Sequence, residues 1–243
     1  MNRRLTLSSV PFAGRTGRGR RVAVIDSGIA AGHPHVGEVA GGVSLLENDE
    51  DPSDYRDRIG HGTAVAGAIR EKAPDAELLA VRIFDRELSA TGEVLARAMR
   101  WAADHGAQLI NLSLGTPNEE RRELLAEALQ YATSRGAIVI AAAEHDGAAL
   151  YPGALDGAVG VLLDSSCARD ELHVLDAATA SIRVAASGYP RPIPGVPAER
   201  NFSGLSFAVA NATGLLARLL EGRPASLLAI RDHLTREGSG VER

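Results

Sequence analysis

The stretch Val22-Ala23-Val24-Ile25-Asp26-Ser27-Gly28 decides how this chain is read. Residues 21–25 form a short β-branched run that stops at a carboxylate, the signal of a buried strand ending in a turn. Directly after His61, residues 62–70 carry small and apolar side chains at helical spacing. Residues 77–84 read as a strand. Thr91 reads as the N-cap of a helix that continues to His105 and is stopped by Gly106. Residues 107–112 form the next strand. Asn118 caps a helix with Glu119 and Glu120 in its first turn, where the helix dipole favours acids, and Gly136 ends it. Strands follow at 137–143, 158–163 and 181–186. A long helix covers 206–221, small-residued early (Ala208, Ala210, Ala212, Gly214) and leucine-rich late. Strands thus alternate with helices, and several strands are apolar on both faces. The expected fold is α/β: a single domain of three layers, a mostly parallel sheet with helices on both faces. In such sheets ligands bind beyond the carboxyl ends of the strands, where this reading puts Asp26. No repeat or linker interrupts the pattern, and the four prolines of 189–197 read as a rigid loop. The expected division is a basic arm over 1–21, one domain over 22–236 and a flexible tail over 237–243.

Bulk properties exclude several classes. A length of 243 residues suffices for one domain with a sizeable core. The net charge of −5 argues against nucleic acid as a partner, because phosphate binding needs a basic surface. Cys167 is the one cysteine, so no internal disulfide forms, which fits a reducing compartment. No apolar run reaches the length of a membrane span. The first 21 residues are basic (Arg3, Arg4, Arg15, Arg18, Arg20, Arg21) and lack the apolar core of a secretory signal, so the expectations are a flexible leader and a cytoplasmic protein.

Three residues stand out chemically, in the order Asp26, His61, Ser206. A serine hydroxyl is a poor nucleophile alone; a histidine can take its proton, and a carboxylate can hold that histidine in the right tautomer. Ser206 follows Gly204 and opens a helix of small residues, where free amides and the dipole favour a developing anion. His61 stands between Gly60 and Gly62 at a helix start, and Asp26 at a strand end. His33 and His35 form a His-x-His pair without a clear third ligand, so no metal site is expected.

These residues lie in five ordered segments: residues 22–28; His61-Gly-Thr-Ala-Val-Ala-Gly67; Asn111-Leu-Ser-Leu-Gly115; Ala141-Ala-Ala143 with Asp146-Gly147; and Gly204-Leu-Ser206-Phe-Ala208 with Gly214 beyond. His33-Pro34 follows the first in the same manner. Together they resemble the motifs of subtilisin-like serine proteases over roughly residues 21–220. The resemblance implies a serine endopeptidase acting on peptides or proteins, with Asp26, His61 and Ser206 catalytic. It also implies that Ser113, Leu114 and Gly115 pair with substrate backbone as an added strand, and that Ala142, Ala143 and Glu144 line the binding site.

Four departures qualify it. Glu144-His145 stands where the family has Gly-Asn. Losing the side-chain donor to the oxyanion costs roughly a hundred- to a thousand-fold, a magnitude known from subtilisin itself. His145 can substitute, since imidazole donates through either ring nitrogen. Leu205 and Ala210 replace the Thr and Pro of the serine motif. The family's proregion has no room before Val22, which points to a selective protease, for example one trimming the leader of a ribosomally made peptide. The loop after the histidine helix is short, so the structural calcium of many relatives is doubtful and no cofactor is expected. Glu144 would attract a basic side chain or narrow the pocket, while the acidic run 47–57 reads as a solvated loop. The residues leave two alternatives: a non-catalytic peptide-binding module on the same fold, or an esterase or transpeptidase.

Overall fold

The computed structural model describes residues 5–7, 14–46, 51–177, 181–197 and 200–239. In chain order the elements are β1 (Leu5–Leu7), β2 (Arg21–Asp26), β3 (Gly41–Ser44), α1 (His61–Lys72), β4 (Glu77–Arg82), α2 (Gly92–Asp104) and β5 (Leu109–Leu112). A 3-10 turn (Glu119–Arg121) leads into α3 (Arg122–Ser134), followed by β6 (Ile138–Ala142), β7 (Glu144–His145), β8 (Ala148–Ala149), β9 (Val159–Leu163), β10 (Leu172–Asp176), β11 (Ile182–Ala186), α4 (Leu205–Leu219) and α5 (Leu227–Ser239).

One nine-stranded sheet has the order β1-β10-β11-β9-β6-β5-β2-β4-β3. It is parallel from β11 to β3 and antiparallel only at the β1-β10-β11 edge. Alternation along β2 shows why both faces are covered. Val22 and Val24 point into a core shared with α1, α4 and α5. Ala23 and Ile25 point into the core beneath α2 and α3. Each strand residue is buried because helices lie on both sides, and this is the three-layer α/β arrangement expected from the apolar runs. α1 packs along α4 on one face, and α2 along α3 on the other. The small residues Ala208, Ala210, Ala212 and Gly214 allow the first contact; a Cβ on Gly214 would lie 2.6 Å from that of Lys72.

Several elements were not expected. Leu5–Leu7, inside the segment read as a leader, pairs with β10; Arg3 and Arg4 lie outside the described residues. Within the described residues 14–21 of that segment, Arg15, Thr16 and Gly17 are fastened to residues near the far end of the chain. Glu221 accepts from the amides of Thr16 (2.6 Å) and Gly17 (2.8 Å), and Arg15 donates to the Leu219 carbonyl (3.0 Å). α5 continues through Ser239, so 237–239 are helical where a flexible tail was expected; 240–243 lie outside the described residues. α4 begins at Leu205, one residue before the expected start, and ends at Leu219.

Candidate active site

Asp26 is the last residue of β2 and is fully buried. Its Oδ1 accepts from Nδ1 of His61 at 2.8 Å and from the Ser27 amide at 2.8 Å. His61 opens α1 beside the strand end. The two segments meet closely because Gly62 has no side chain: a Cβ there would lie 2.2 Å from the Gly28 carbonyl and 3.1 Å from Asp26 Oδ1. Burial opposes protonation of His61, but the hydrogen bond and charge of Asp26, with the charge of Asp57, outweigh it and raise the imidazole above its ordinary value.

Asp57 was read only as part of an acidic loop, yet it organises this corner. Its Oδ1 accepts from Ser27 Oγ (2.8 Å) and from the amides of Ile59 (2.9 Å) and Gly60 (2.8 Å). Its Oδ2 accepts from the amide (2.8 Å) and hydroxyl (2.6 Å) of Thr63. Ser27 Oγ in turn accepts from the Gly62 amide at 2.9 Å. α1 has no side-chain cap from its own N-cap residue, Gly60; Ser27 and Asp57 supply that service to its first amides. Burial pushes the Asp57 carboxyl up, but these hydrogen bonds prevail and hold it below the usual carboxylate range. The remaining acids of the loop are engaged locally. Asp54 pairs with Arg56 (2.9 Å) and Arg58 (2.8 Å), and Asp51 accepts from Ser53. Residues 47–50, with Glu47, Asp49 and Glu50, lie outside the described residues.

Ser206 is the second residue of α4. The turn before it depends on Gly204, whose φ of 152° and ψ of 178° fall in a region essentially confined to glycine; its amide donates to the Gly188 carbonyl at 2.9 Å. The Ser206 hydroxyl donates to the Ser113 carbonyl at 3.2 Å, and Ser113 Oγ lies 3.4 Å from the Ser206 carbonyl. Asn111 locks this junction: its Nδ2 donates to Ser113 Oγ (2.8 Å) and its Oδ1 accepts from Thr213 Oγ1 of α4 (2.9 Å). His61 faces the same helix end, its ring centroid 5.7 Å from that of Phe207. The fold thus gathers Asp26, His61, Ser113 and Ser206 at one rim of the sheet.

The other sequence candidates are distributed differently. Ala142 and Ala143 are buried, and Ala143 uses its amide on Val161 and its carbonyl on Leu150. Glu144 and His145 form β7 of an exposed hairpin with β8. Asp146 (φ 49°) and Gly147 (φ 81°) make its two-residue turn, the pattern of a type I′ hairpin. The His145 side chain is 69% exposed, with Nε2 3.5 Å from Asp146 Oδ2. No hydrogen bond joins this imidazole to Ser206 among the described residues.

Leu150 escaped the sequence reading. It lies between the Ser113–Gly115 segment and the Ala142–Ala143 segment: a Cβ on Gly115 would fall 2.9 Å from Leu150 Cβ and 3.5 Å from the Ala142 carbonyl. The bridge between Thr116 and Tyr151 closes the far end. On the other side of His61, His33, His35, Pro190, Ile193 and Phe202 line a largely apolar cleft of ≈ 490 Å³.

The sequence pattern of the subtilase family matches residues 17–237. Thermitase of Thermoactinomyces vulgaris is 34% identical over 232 residues, covering 86% of this chain and 78% of its own length. Subtilisin Savinase of Lederbergia lenta is 33% identical over 242 residues, covering 91% and 84%. M-protease of Shouchella clausii (strain KSM-K16) is 32% identical over 249 residues, covering 94% of this chain but 61% of its own length. A match reaching from β2 through α5, and relatives aligned along most of the chain, lead to one assignment: the chain belongs to the subtilase family of serine endopeptidases.

Proposed function

We propose that the chain cleaves peptide bonds with Ser206 as nucleophile, His61 as general base and then general acid, and Asp26 as the carboxylate that orients and charge-stabilises His61. The observation that carries this reading is the 2.8 Å bond between His61 Nδ1 and fully buried Asp26, facing the first turn of α4. Nδ1–H donation to Asp26 leaves the imidazole lone pair on Nε2, the nitrogen that must receive the serine proton. The Ser206 hydroxyl leaves Ser113 by rotation about χ1, passes its proton to Nε2 and attacks the scissile carbonyl. His61 returns that proton to the leaving amine, and water repeats the cycle on the acyl-enzyme. The Ser206 amide, in the first turn of α4 and without an intrahelical acceptor, holds the oxyanion. His145 joins it only if the β7-β8 hairpin turns inward.

Substrate would lie extended along Ser113, Leu114 and Gly115, and its side chain at the cleavage point would enter between that segment and Ala142–Ala143. The Leu150 Cβ borders this slot, 2.9 Å from where a Cβ on Gly115 would lie, which supports a preference for small residues there. The apolar cleft beside His61 supports a hydrophobic residue elsewhere in the peptide. Both features support selective processing, such as trimming one partner peptide, over general digestion. Fluorophosphonate treatment tests the chemistry: a single adduct on Ser206, lost in Ser206→Ala, is expected. A peptide series tests the selectivity. Glycine or alanine at the cleavage point should be cut best in wild type, and Leu150→Ala should admit larger residues; rapid, unselective casein digestion counts against selective processing.

A second reading, a peptide-binding module without catalysis, is favoured by the seating of the Ser206 hydroxyl on Ser113 and the outward His145. Absence of any adduct, with peptide binding retained, would establish it.

A further inference from the structure

Outside the residues proposed for catalysis, the turns between β9 and β10 and strand β10, next to the sheet edge, bring Cys167, Glu171 and His173 together. One ligand atom from each lies within 4.8 Å of the other two, the one such group among the described residues. Cys167 is 4% exposed, its sulfur 3.3 Å from the Glu171 carbonyl. His173 Nδ1 donates to Asp164 Oδ2 at 2.9 Å. Asp164 is itself fixed by the amide (2.9 Å) and hydroxyl (2.6 Å) of Ser166. A carboxylate on one imidazole nitrogen sets the tautomer, leaves the lone pair on Nε2 and raises its basicity, the support usually found behind metal-bound histidines. His173 rests on regular sheet, opposite Ala185 of β11, which fixes one ligand in advance, while Cys167 and Glu171 come from the turns before it.

We propose that Cys167, Glu171 and His173 bind a zinc ion, with Asp164 orienting the histidine. The donor set decides the metal: thiolate and imidazole suit zinc, whereas calcium and magnesium take oxygen donors. Three protein ligands leave a fourth position for water. With metal–ligand bonds of about 2.0–2.3 Å, a tetrahedral site spaces its ligand atoms about 3.3–3.8 Å apart. The present spread closes by side-chain rotation, chiefly of Glu171, which is not fully buried. On binding, the sulfur–zinc bond forms as the thiol proton leaves to solvent, and no electron is transferred. The bound ion would tie the turn after β9 to β10. Expectations based on sequence considered only His33 and His35 as ligands.

The test is zinc titration of the full chain against a competing chromophoric chelator, with thermal melts alongside. One zinc per chain is expected, with a melting temperature that rises with zinc concentration. Cobalt in its place should give a thiolate charge-transfer band that Cys167→Ser abolishes. Cys167→Ser and Glu171→Gln should each weaken zinc at least about tenfold, and Glu171→Gln, at a partly exposed side chain, guards against loss of fold. A His33→Ala, His35→Ala double variant should bind as wild type. Absence of stoichiometric zinc, or affinity unchanged in both Cys167→Ser and Glu171→Gln, would overturn the proposal.

Discussion

At the scale of single residues, Gly62 determines how closely the histidine approaches its carboxylate. Its α-carbon leaves no room for a methyl group, and the obstacle 2.2 Å away is the backbone carbonyl of Gly28, which cannot rotate aside. Gly62→Ala must push α1 off the end of β2 and lengthen the His61–Asp26 bond. The expected loss in kcat/KM is about a hundredfold, the magnitude of an ångström-scale misplacement; unchanged kinetics would show that α1 yields elsewhere. His61 also sets the pH dependence. In the proposed mechanism neutral imidazole is the base, and Asp26 and Asp57 raise its pKa despite burial. The profile of kcat/KM should therefore rise through an inflection above the ordinary histidine value of about 6.5. Stability has the opposite sense. The protonated pair stabilises the fold fully below the ordinary histidine value, and that contribution fades as pH rises through the raised one. An inflection in the rate profile at or below the ordinary value would refute the coupling. Asp26, His61 and Ser206 were readable because each sits inside a distinctive motif. Asp57 was not: four of its five donors lie in the adjoining turn at 59–60 and in Thr63, but the Ser27 hydroxyl that ties it to the site reaches it only when α1 docks beside β2.

Among the elements, the β7-β8 hairpin departs furthest from the reading of its sequence. Asp146-Gly147 is a strong hairpin signal, and it prevails over the likeness of the segment to an oxyanion loop. The hairpin directs His145 outward, to 69% exposure. His145→Ala should therefore change kcat by less than about threefold, against the hundred- to thousand-fold expected of a lost oxyanion donor. A drop of the larger size, with KM little changed, would mean that the hairpin closes over bound substrate. The helices α1 to α4 were legible from small-residue spacing, caps and stop glycines. β3 and β10 were not. Gly41-Gly42-Val43-Ser44 has little β propensity of its own, and Leu172–Asp176 mixes polar and apolar residues because it lies near a sheet edge.

For the whole molecule, the central parallel strands were legible because burial on both faces writes an uninterrupted apolar run into the sequence. The antiparallel edge and the joining of the chain's two ends were not, since both depend on partners far away in sequence. Glu221 is the fastener at that junction, taking the amides of Thr16 and Gly17. Glu221→Gln should lower the melting temperature by about 2–4 °C, as loss of about 1 kcal/mol does in a protein of this size, and an unchanged melt would show the contact to be dispensable. The order of the strands has another consequence. β2 and α1 precede residue 73, whereas the hydroxyl they would serve arrives with α4, behind β9 and β11. Contacts so distant in sequence form late in folding. If Ser206 is the nucleophile as proposed, a chain still attached to the ribosome has nothing with which to attack until α4 has emerged. On the proposed mechanism, translation itself would act as a safety catch, because a half-made copy lacks the hydroxyl that cuts.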